Sequence, residues 1–399
     1  MKIVFLIYRS VLGGGTYVVY QHALHASEAG HDVTIATLAL DTPYQDVWHP
    51  AIPKLKFVHI DETAHQTYDI AFATLWSTAL ELHRVPARRY AYFVQSIESR
   101  FFPEEAVKRR AFIEAIYAWN VPGITEATWI KNYLALHHGS QYHLVRNGIR
   151  KDLYQIEGPR IAKRNRQRLR VLIEGGFGTI KNTARALSTA RRAGDSEMWL
   201  LTASDMPWFP GVQRLFSRVP VDQVSPIYRS CDVILKLSLV EGMFGPPLEM
   251  FHCGGTAVVY DVSGHDEYIE HGKNALVVAM HDEEAVIRSL RRLSSEAGLL
   301  ESLQRGAVES ASVWPAWETS SAEFLCAIEA LCSSEGYTRD RLMSERERLQ
   351  KKFPEEMASI EPAQPEYTGA ATWSAPVRSL RRTARRYKTY LGHIVDSYR

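Results

Sequence analysis

Two glutamates with seven residues between them frame a loop rich in glycine and proline, Glu241-Gly-Met-Phe-Gly-Pro-Pro-Leu-Glu249. Carboxylates accept hydrogen bonds from hydroxyl groups, so this pair is suited to binding the hydroxyls of a sugar. Backbone N–H groups at the start of a helix have no partner within the helix and attract anions. The spacing therefore predicts a site in which Glu241, on a loop, and Glu249, in the first helical turn, bracket a phosphate or a sugar oxygen.

The residues on either side of this loop indicate the elements that position it. Residues 233–239 have the length and the β-branched content of a buried strand. Pro246 and Pro247 fit the first positions of a helix, where a missing N–H costs little. The alternative is an ordinary strand-loop-helix connection, in which Glu249 only interacts favourably with the helix dipole and Glu241 faces solvent.

This arrangement resembles the signature of the retaining glycosyltransferases of family four, which have the GT-B fold. Residues 261–267 and 271–274 resemble the two segments that follow the signature in that family. The resemblance implies that Glu249 binds the ribose hydroxyls of a nucleotide sugar and that Glu241, as a catalytic residue, binds the hydroxyls of the donor sugar. It also implies that the loop offers N–H groups to the transferring end of the donor, from Gly242, Met243, Phe244 and Gly245. In the family phenylalanine and glycine directly follow Glu-Gly, whereas here Met243 intervenes.

A glycine-rich turn at residues 175–178, followed by Lys181, is the second candidate for donor binding. The two negative charges of a diphosphate need cations or N–H donors. By resemblance, Lys181 is the catalytic cation of this turn, and Gly176 or Phe177 stands where the family has an arginine. The phosphate contact that this arginine makes in the family is either lost in this chain or made by Arg229, by Lys236 or by the basic stretch 159–170. The alternative for Lys181 is an exposed lysine at the start of a helix.

The acceptor side is predicted in the first half of the chain. Gly13-Gly14-Gly15 is interpreted as a flexible turn and resembles the family's first-domain loop, with Gly14 and Gly15 as site residues; a plain tight turn is the alternative. Residues 92–102 resemble a segment of a rhamnosyltransferase-like branch of the family, which implies that Gln95 and Glu98 lie at the cleft between the domains. Ordinary turn residues are equally common there. The histidine that many members carry in this domain is replaced by Thr74, Trp76 and Ser77.

The composition of the chain limits its number of domains, its partners and its location. The chain has 399 residues, of which 46% are hydrophobic, and a net charge of +2, so it is long enough for two domains and is not a dedicated nucleic-acid binder. The four cysteines have no metal or redox spacing and indicate a reducing, cytoplasmic location. No apolar run approaches the ~20 residues of a membrane span. The spacing of the fifteen histidines does not indicate a metal site. No cofactor is expected, since the nucleotide sugar is a substrate. The sequence does not determine whether its nucleotide is UDP, GDP or dTDP.

Alternating strands and helices predict an α/β protein with two tandem, Rossmann-like, doubly wound domains and a cleft between them. We assign residues 1–155 to the acceptor-side domain, 156–315 to the donor-side domain and 316–334 to a crossover helix, within a helix expected from residue 312. Residues 335–399 are predicted to be a charged and proline-rich linker and a basic amphipathic helix.

Residues 377–399 carry seven Lys or Arg side chains and one Asp, a net charge of +6, with apolar residues spaced by three and four. Such a helix docks on its own domains, on another copy of the chain, or on an anionic membrane surface. The last case would suit a lipid-linked acceptor and a location at the inner face of the membrane.

The sequence therefore predicts an enzyme that transfers a sugar from a nucleotide-sugar donor to an acceptor hydroxyl, in glycan or cell-surface polysaccharide synthesis. Retention of configuration and independence of metals follow from the resemblance. Two alternatives stay open: a sugar-nucleotide epimerase or hydrolase on the same fold, and a catalytically degenerate GT-B subunit that binds a partner.

Overall fold

The computed structural model describes residues 1–39, 48–165 and 167–360. These residues form two compact units. Unit 1 is Met1–Arg150 together with residues 315–360, and unit 2 is Lys151–Trp314. Each unit contains one sheet whose paired strands are all parallel, with helices around it. The predicted class of two tandem doubly wound domains is confirmed.

The strands and helices alternate along most of the chain. In unit 1 the strands are β1 (Lys2–Ile7), β2 (Asp32–Thr37), β3 (Lys56–His59), β4 (Tyr68–Ala73), β5 (Ala87–Val94), β6 (Gly123–Thr125) and β7 (Tyr142–Leu144), and in unit 2 they are β8 (Arg170–Glu174), β9 (Glu197–Thr202), β10 (Arg214–Ser217), β11 (Val233–Lys236), β12 (Thr256–Tyr260) and β13 (Ala275–Val278). The α-helices are α1 (Gly14–Glu28), α2 (Trp76–Glu81), α3 (Val107–Tyr117), α4 (Thr128–His138), α5 (Thr183–Ala193), α6 (Ser225–Ser230), α7 (Gly245–His252), α8 (Glu283–Ser295), α9 (Leu299–Ser312), α10 (Trp317–Ser333), α11 (Arg339–Lys352) and α12 (Pro354–Ala358).

Strand order explains which loops come together. The order is β3-β2-β1-β4-β5-β6-β7 in unit 1 and β10-β9-β8-β11-β12-β13 in unit 2. In each sheet the chain winds outward in both directions from a central pair, β1 and β4 or β8 and β11. The loops that leave the carboxyl ends of such a pair diverge to opposite faces and open a crevice. In unit 2 this crevice lies between the turn that carries Lys181 and the loop that begins at Glu241.

Several elements differ from the sequence predictions. Helix α1 begins at Gly14, so Gly14 and Gly15 form its first turn and are not part of a free flexible turn. Strand β6 has only three residues. A Cβ on Gly123 would come within 1.9 Å of the Tyr92 carbonyl oxygen, so only glycine lets β6 lie this close to β5. Helix α10 begins at Trp317, because residues up to Ser312 belong to α9.

Residues 335–360 pack against unit 1 and are not a linker. Helix α11 and then α12 lie where a charged and proline-rich linker was expected. Leu342 and Leu349 are buried, and the Tyr337 hydroxyl donates to the Trp119 carbonyl oxygen at 3.0 Å. Residues 361–399, including the predicted basic helix at 377–399, lie outside the described residues. In the part of the chain that is described, no helix is long and apolar enough to cross a membrane.

Replacing Leu342 with alanine tests this packing. The side chain is 1% exposed within the unit 1 core, so Leu342→Ala should lower the free energy of unfolding by about 2–4 kcal/mol. Met343, the next residue, is 42% exposed, and Met343→Ala should change the same quantity by about 0.5 kcal/mol or less. Urea unfolding of both variants makes the comparison. Equal effects would show that α11 does not pack on unit 1 in solution.

Candidate functional site

Four charged side chains form one cluster at the carboxyl edge of the unit 2 sheet. The Lys181 ammonium lies 2.8 Å from Oε2 of Glu241, and the Lys236 ammonium lies 2.5 Å from Oε2 of Glu174. Lys236 Nζ is also 3.8 Å from Oε1 of Glu241, which joins the two pairs. The cluster brings together the predicted residues Lys181 and Glu241, and it adds Glu174.

One backbone hydrogen bond and one side-chain hydrogen bond hold the two loops of this crevice against each other. The Leu239 N–H donates to the Ile180 carbonyl oxygen at 2.8 Å. The Asn182 side-chain amide donates to the Leu237 carbonyl oxygen at 3.1 Å. Asn182 has a left-handed conformation at φ 52°, which asparagine tolerates well, and it directly precedes α5. These bonds fix the distance between Lys181 and Glu241 through the main chain as well as through the ion pair.

Glu241 is ionised despite its burial. Its side chain is 8% exposed, and burial alone raises the pKa of a carboxyl group. Lys181 and Lys236 oppose this effect and lower the pKa of Glu241 below its ordinary value. The site therefore holds a charged carboxylate at neutral pH, compensated by two ammonium groups.

Glu249 lies in the second turn of α7, not in the first as predicted, because the helix begins at Gly245. Burial, followed by repulsion from Glu174, raises its pKa to about 7, although Tyr228 and Tyr154 donate hydrogen bonds that oppose the shift. Near neutral pH this carboxyl group is therefore divided between its charged and neutral forms. Both forms accept hydrogen bonds, and the neutral form also donates one.

The loop after Glu241 offers fewer anion-binding N–H groups than predicted. The Gly245 N–H donates to the Met243 carbonyl oxygen at 3.1 Å, so it is committed within the loop. Pro246 and Pro247 have no N–H, which removes two more donors from the start of α7. The buried Phe244 is held through its carbonyl oxygen, which accepts a hydrogen bond from the Tyr268 hydroxyl. Gly242 and Met243, which precede Phe244, are half-buried.

The turn after β8 is tight. The Thr183 hydroxyl donates to the Gly176 carbonyl oxygen at 2.8 Å. Gly175 has a φ of 149°, and a Cβ there would lie 2.7 Å from the same hydroxyl. The Phe177 N–H donates to the Ser204 hydroxyl at 3.4 Å, and its ring stacks on Phe209 with a centroid distance of 5.3 Å. The Phe177 side chain is thus a packing residue of this turn.

Several candidates for the missing phosphate-binding cation are engaged in structural contacts. The Arg229 guanidinium donates to the carbonyl oxygens of Leu153 and Pro159, and its side chain is buried. Arg164 and Arg170, in the basic stretch, likewise donate to main-chain oxygens, whereas Arg166 lies outside the described residues. Lys236 is only 2% exposed. Arg160, Lys163 and Arg168 of the same stretch are exposed, so they stay candidates for this contact beside Lys181, whose side chain is 34% exposed.

The acceptor-side residues of unit 1 separate into two groups. Gly15, in the first turn of α1, lies against the Gln95 side chain, whose Oε1 would be 3.3 Å from a Cβ on Gly15. Within the described residues Gln95 Oε1 has no hydrogen-bond partner. Gly14 faces open space. Gly15 and Gln95 therefore lie against each other, with Gly14 beside Gly15 in the first turn of α1.

Glu98 is a buried cap of α2, which corrects its predicted place at an accessible cleft. Its side chain is 1% exposed, and Oε2 accepts hydrogen bonds from the Trp76 N–H at 2.6 Å and the Tyr92 hydroxyl at 3.0 Å. Burial raises its pKa to about 8. The group is mostly neutral at pH 7 and supports the structure of unit 1.

Sequence reasoning missed Glu174 and the two tyrosines that bond Glu249. Nothing in the local pattern marks Tyr154 or Tyr228, because they reach Glu249 through tertiary packing. Glu174 could have been predicted, since it is the last residue of β8 and Lys236 is the last residue of β11, the neighbouring strand of the same parallel sheet. The structure shows no group of three or more His, Cys, Asp or Glu side chains that could hold a metal ion, over the residues it describes.

Comparisons with known proteins agree with this description. Residues 210–309 match the family model described as "Glycosyl transferases group 1", a stretch that includes Glu241 and Glu249. The O-antigen biosynthesis protein RfbC of Myxococcus xanthus is 28% identical over 255 residues, which cover 61% of this chain and 19% of that protein. The chain thus spans about a fifth of the length of this curated relative.

Solved structures of low identity share the fold. Sucrose-phosphate synthase from Thermosynechococcus elongatus is 15% identical, with a TM-score of 0.71, and the match covers 84% of this chain and 100% of that one. Anabaena Alr3699/HepE, in complex with UDP and glucose, is 14% identical, with a TM-score of 0.66 over 83% and 100% of the two chains. Together with the two parallel sheets, these matches establish the GT-B fold class that the sequence predicts.

Proposed function

We propose that this chain is a group 1 glycosyltransferase that transfers a sugar from a nucleotide-sugar donor, held by unit 2, to an acceptor hydroxyl. The observation that carries the proposal is the Lys181–Glu241 ion pair at the crevice between β8 and β11, with Glu249 on the following helix. The match of residues 210–309 to a glycosyltransferase family and the UDP and glucose bound by a protein of the same fold support it.

We assign the role of each residue in donor binding from the exposure and the charge of its side chain. Lys181 is the partly exposed cation of the cluster, so we assign it to the donor diphosphate. Glu241 is the ionised carboxylate beside it and is assigned to the donor-sugar hydroxyls. Glu249, with both a charged and a neutral form near pH 7, is assigned to the ribose hydroxyls. Gly242 and Met243 complete the donor side, together with the turn at Gly176.

We further propose that the reaction retains the anomeric configuration, as the resemblance to family four implies. No group in the cluster is assigned as a covalent nucleophile, since Glu241 is engaged by two lysines. The acceptor hydroxyl then attacks from the face that the diphosphate leaves, and its proton passes to the departing diphosphate. Lys181 stabilises the negative charge that develops on the departing diphosphate. In this proposal a side chain of the protein, and not a metal ion, provides that stabilisation.

The acceptor is proposed to be a growing glycan or a lipid-linked sugar, bound on the unit 1 side by Gly14, Gly15 and Gln95. The similarity to an O-antigen biosynthesis protein supports cell-surface polysaccharide synthesis as the setting. Attachment to the inner face of a membrane or self-association through residues 377–399 stays a prediction, because that segment lies outside the described residues.

Proton NMR of the reaction tests the proposal. The purified chain is incubated with UDP-, GDP- or dTDP-sugars and a panel of sugar acceptors, with and without EDTA. We expect acceptor-dependent release of the nucleotide, a product with the anomeric configuration of the donor, and the same rate with EDTA. Turnover that does not need an acceptor would favour an epimerase or hydrolase, and an inverted product would overturn the assignment of retention.

A further inference from the structure

Lys236 is a buried ammonium group held between two carboxylates. It is the last residue of β11, and the parallel register with β8, in which Leu235 pairs with Ile173, brings it beside Glu174. Its Nζ contacts both the side chain and, at 3.3 Å, the carbonyl oxygen of Glu174. Burial lowers the pKa of Lys236, but Glu174 and Glu241 more than offset this effect, and the net shift is upward. The group therefore stays charged although it is hidden from solvent.

Glu241 thus faces two cations that differ in accessibility. Lys181 is 34% exposed and contacts Oε2, whereas Lys236 is 2% exposed and faces Oε1 at 3.8 Å. Within the described residues Oε1 has no hydrogen-bond partner. Glu241 Oε1 is therefore a buried charged oxygen whose nearest cation stands just beyond hydrogen-bond distance.

A donor diphosphate would change the balance between these contacts. Its two negative charges attract an accessible ammonium group more strongly than one carboxylate does, so Lys181 is drawn from Glu241 toward the donor. A buried carboxylate that loses its nearest cation is strongly destabilised. Lys236 cannot follow the donor, because it is buried and bonded to Glu174. It is the group that can compensate Glu241 once Lys181 has moved.

We propose that Lys236 is a positioning residue that holds the Glu241 carboxylate through Oε1 while Lys181 turns to the donor diphosphate. This inference rests on the proposed function. The remaining groups that face Glu241 cannot take this role: Ser263 bonds its carbonyl oxygen through a neutral hydroxyl, Ser238 also offers only a neutral hydroxyl, and Glu174 and Glu249 are themselves acidic. The exchange moves one exposed side chain and keeps the sugar-binding carboxylate in place.

Crystal structures of the wild-type chain alone and with the nucleotide sugar that it binds best by calorimetry test the exchange directly. With the donor bound, we expect the Lys181–Glu241 distance to exceed about 4 Å and the Lys236–Glu241 Oε1 distance to fall to about 3 Å. A donor-bound structure in which Lys181 stays on Glu241, or in which Lys236 does not approach, overturns the inference. If the wild type binds no nucleotide sugar, the proposed function itself fails and this inference falls with it.

Lys236→Met gives a kinetic test, with Lys273→Met as the matched control, because Lys273 makes an exposed pair with Glu270 in the same unit. We expect Lys236→Met to lower kcat roughly 10- to 100-fold and to leave the Kd of the nucleoside diphosphate nearly unchanged. The acid limb of its kcat profile should move to higher pH, because Glu241 has lost one of its two cations. A wild-type kcat, or a lower kcat with an unmoved acid limb, contradicts the proposal. The wild-type structures decide the question if this variant does not fold.

Discussion

Glu241→Gln should lower kcat by about 10²- to 10³-fold, which is the usual cost of removing one preorganised electrostatic group from an active site. The substitution keeps the shape of the side chain and removes its charge, so the donor-sugar hydroxyls lose an ionised acceptor. It also releases Lys181, which lies 2.8 Å from Glu241 in the structure. Affinity for the free nucleoside diphosphate should therefore stay the same or increase while turnover falls.

Steady-state kinetics and calorimetry of the same preparation separate these two effects. Glu270→Gln is the matched control, since Glu270 lies in unit 2 and its side chain is 61% exposed, and it should leave both quantities unchanged. A Glu241→Gln variant that loses diphosphate affinity in proportion to kcat would show that Glu241 acts in general donor binding. A variant with wild-type kcat would remove Glu241 from the reaction altogether.

Glu98→Gln should make the stability of the protein less dependent on pH. Burial raises the pKa of Glu98 to about 8 from an ordinary value of 4.5, so between these values the folded protein holds a proton that the unfolded chain has released. The free energy of unfolding of the wild type therefore falls as pH rises through this window, by roughly 5 kcal/mol in all. Glutamine cannot ionise, and its amide oxygen still accepts from the Trp76 N–H and the Tyr92 hydroxyl.

Urea unfolding at pH 5 and pH 9 checks this expectation. The two proteins should have similar stability at pH 5, and Glu98→Gln should be the more stable by a few kcal/mol at pH 9. Glu105→Gln, at an exposed position of unit 1, should follow the wild type at both values. A difference between wild type and Glu98→Gln that is equal at the two pH values would show that Glu98 titrates normally in the folded state.

The strand-loop-helix at Glu241 and Glu249 could be predicted because its signals are local. An apolar run, a glycine loop and two prolines in sequence specify the element and the order of its parts. The same prolines also explain where the prediction was wrong, since their missing N–H groups and the Gly245–Met243 hydrogen bond reduce the donors at the start of α7. That loss depends on loop conformation, which spacing does not encode.

The charge cluster could be predicted only in part, because its partners come from distant positions. Lys181 and Glu241 are sixty residues apart, and their pairing follows from the strand order that places β8 beside β11. Glu174 and Lys236 meet through sheet register, and the pKa of Glu249 is raised by burial first and by repulsion from Glu174 second. Glu98 is the reverse case, a polar residue after a strand whose burial beneath α2 a local pattern cannot show.

Calorimetric titration of the wild type and Lys181→Met with UDP-, GDP- and dTDP-sugars tests the central claim most directly. We predict that the wild type binds at least one of these donors and that Lys181→Met binds it about tenfold more weakly or worse, because the exposed cation for the diphosphate is gone. Lys273→Met should bind like the wild type. No binding of any donor by the wild type, or equal binding by Lys181→Met, would contradict the assignment of unit 2 as the donor site.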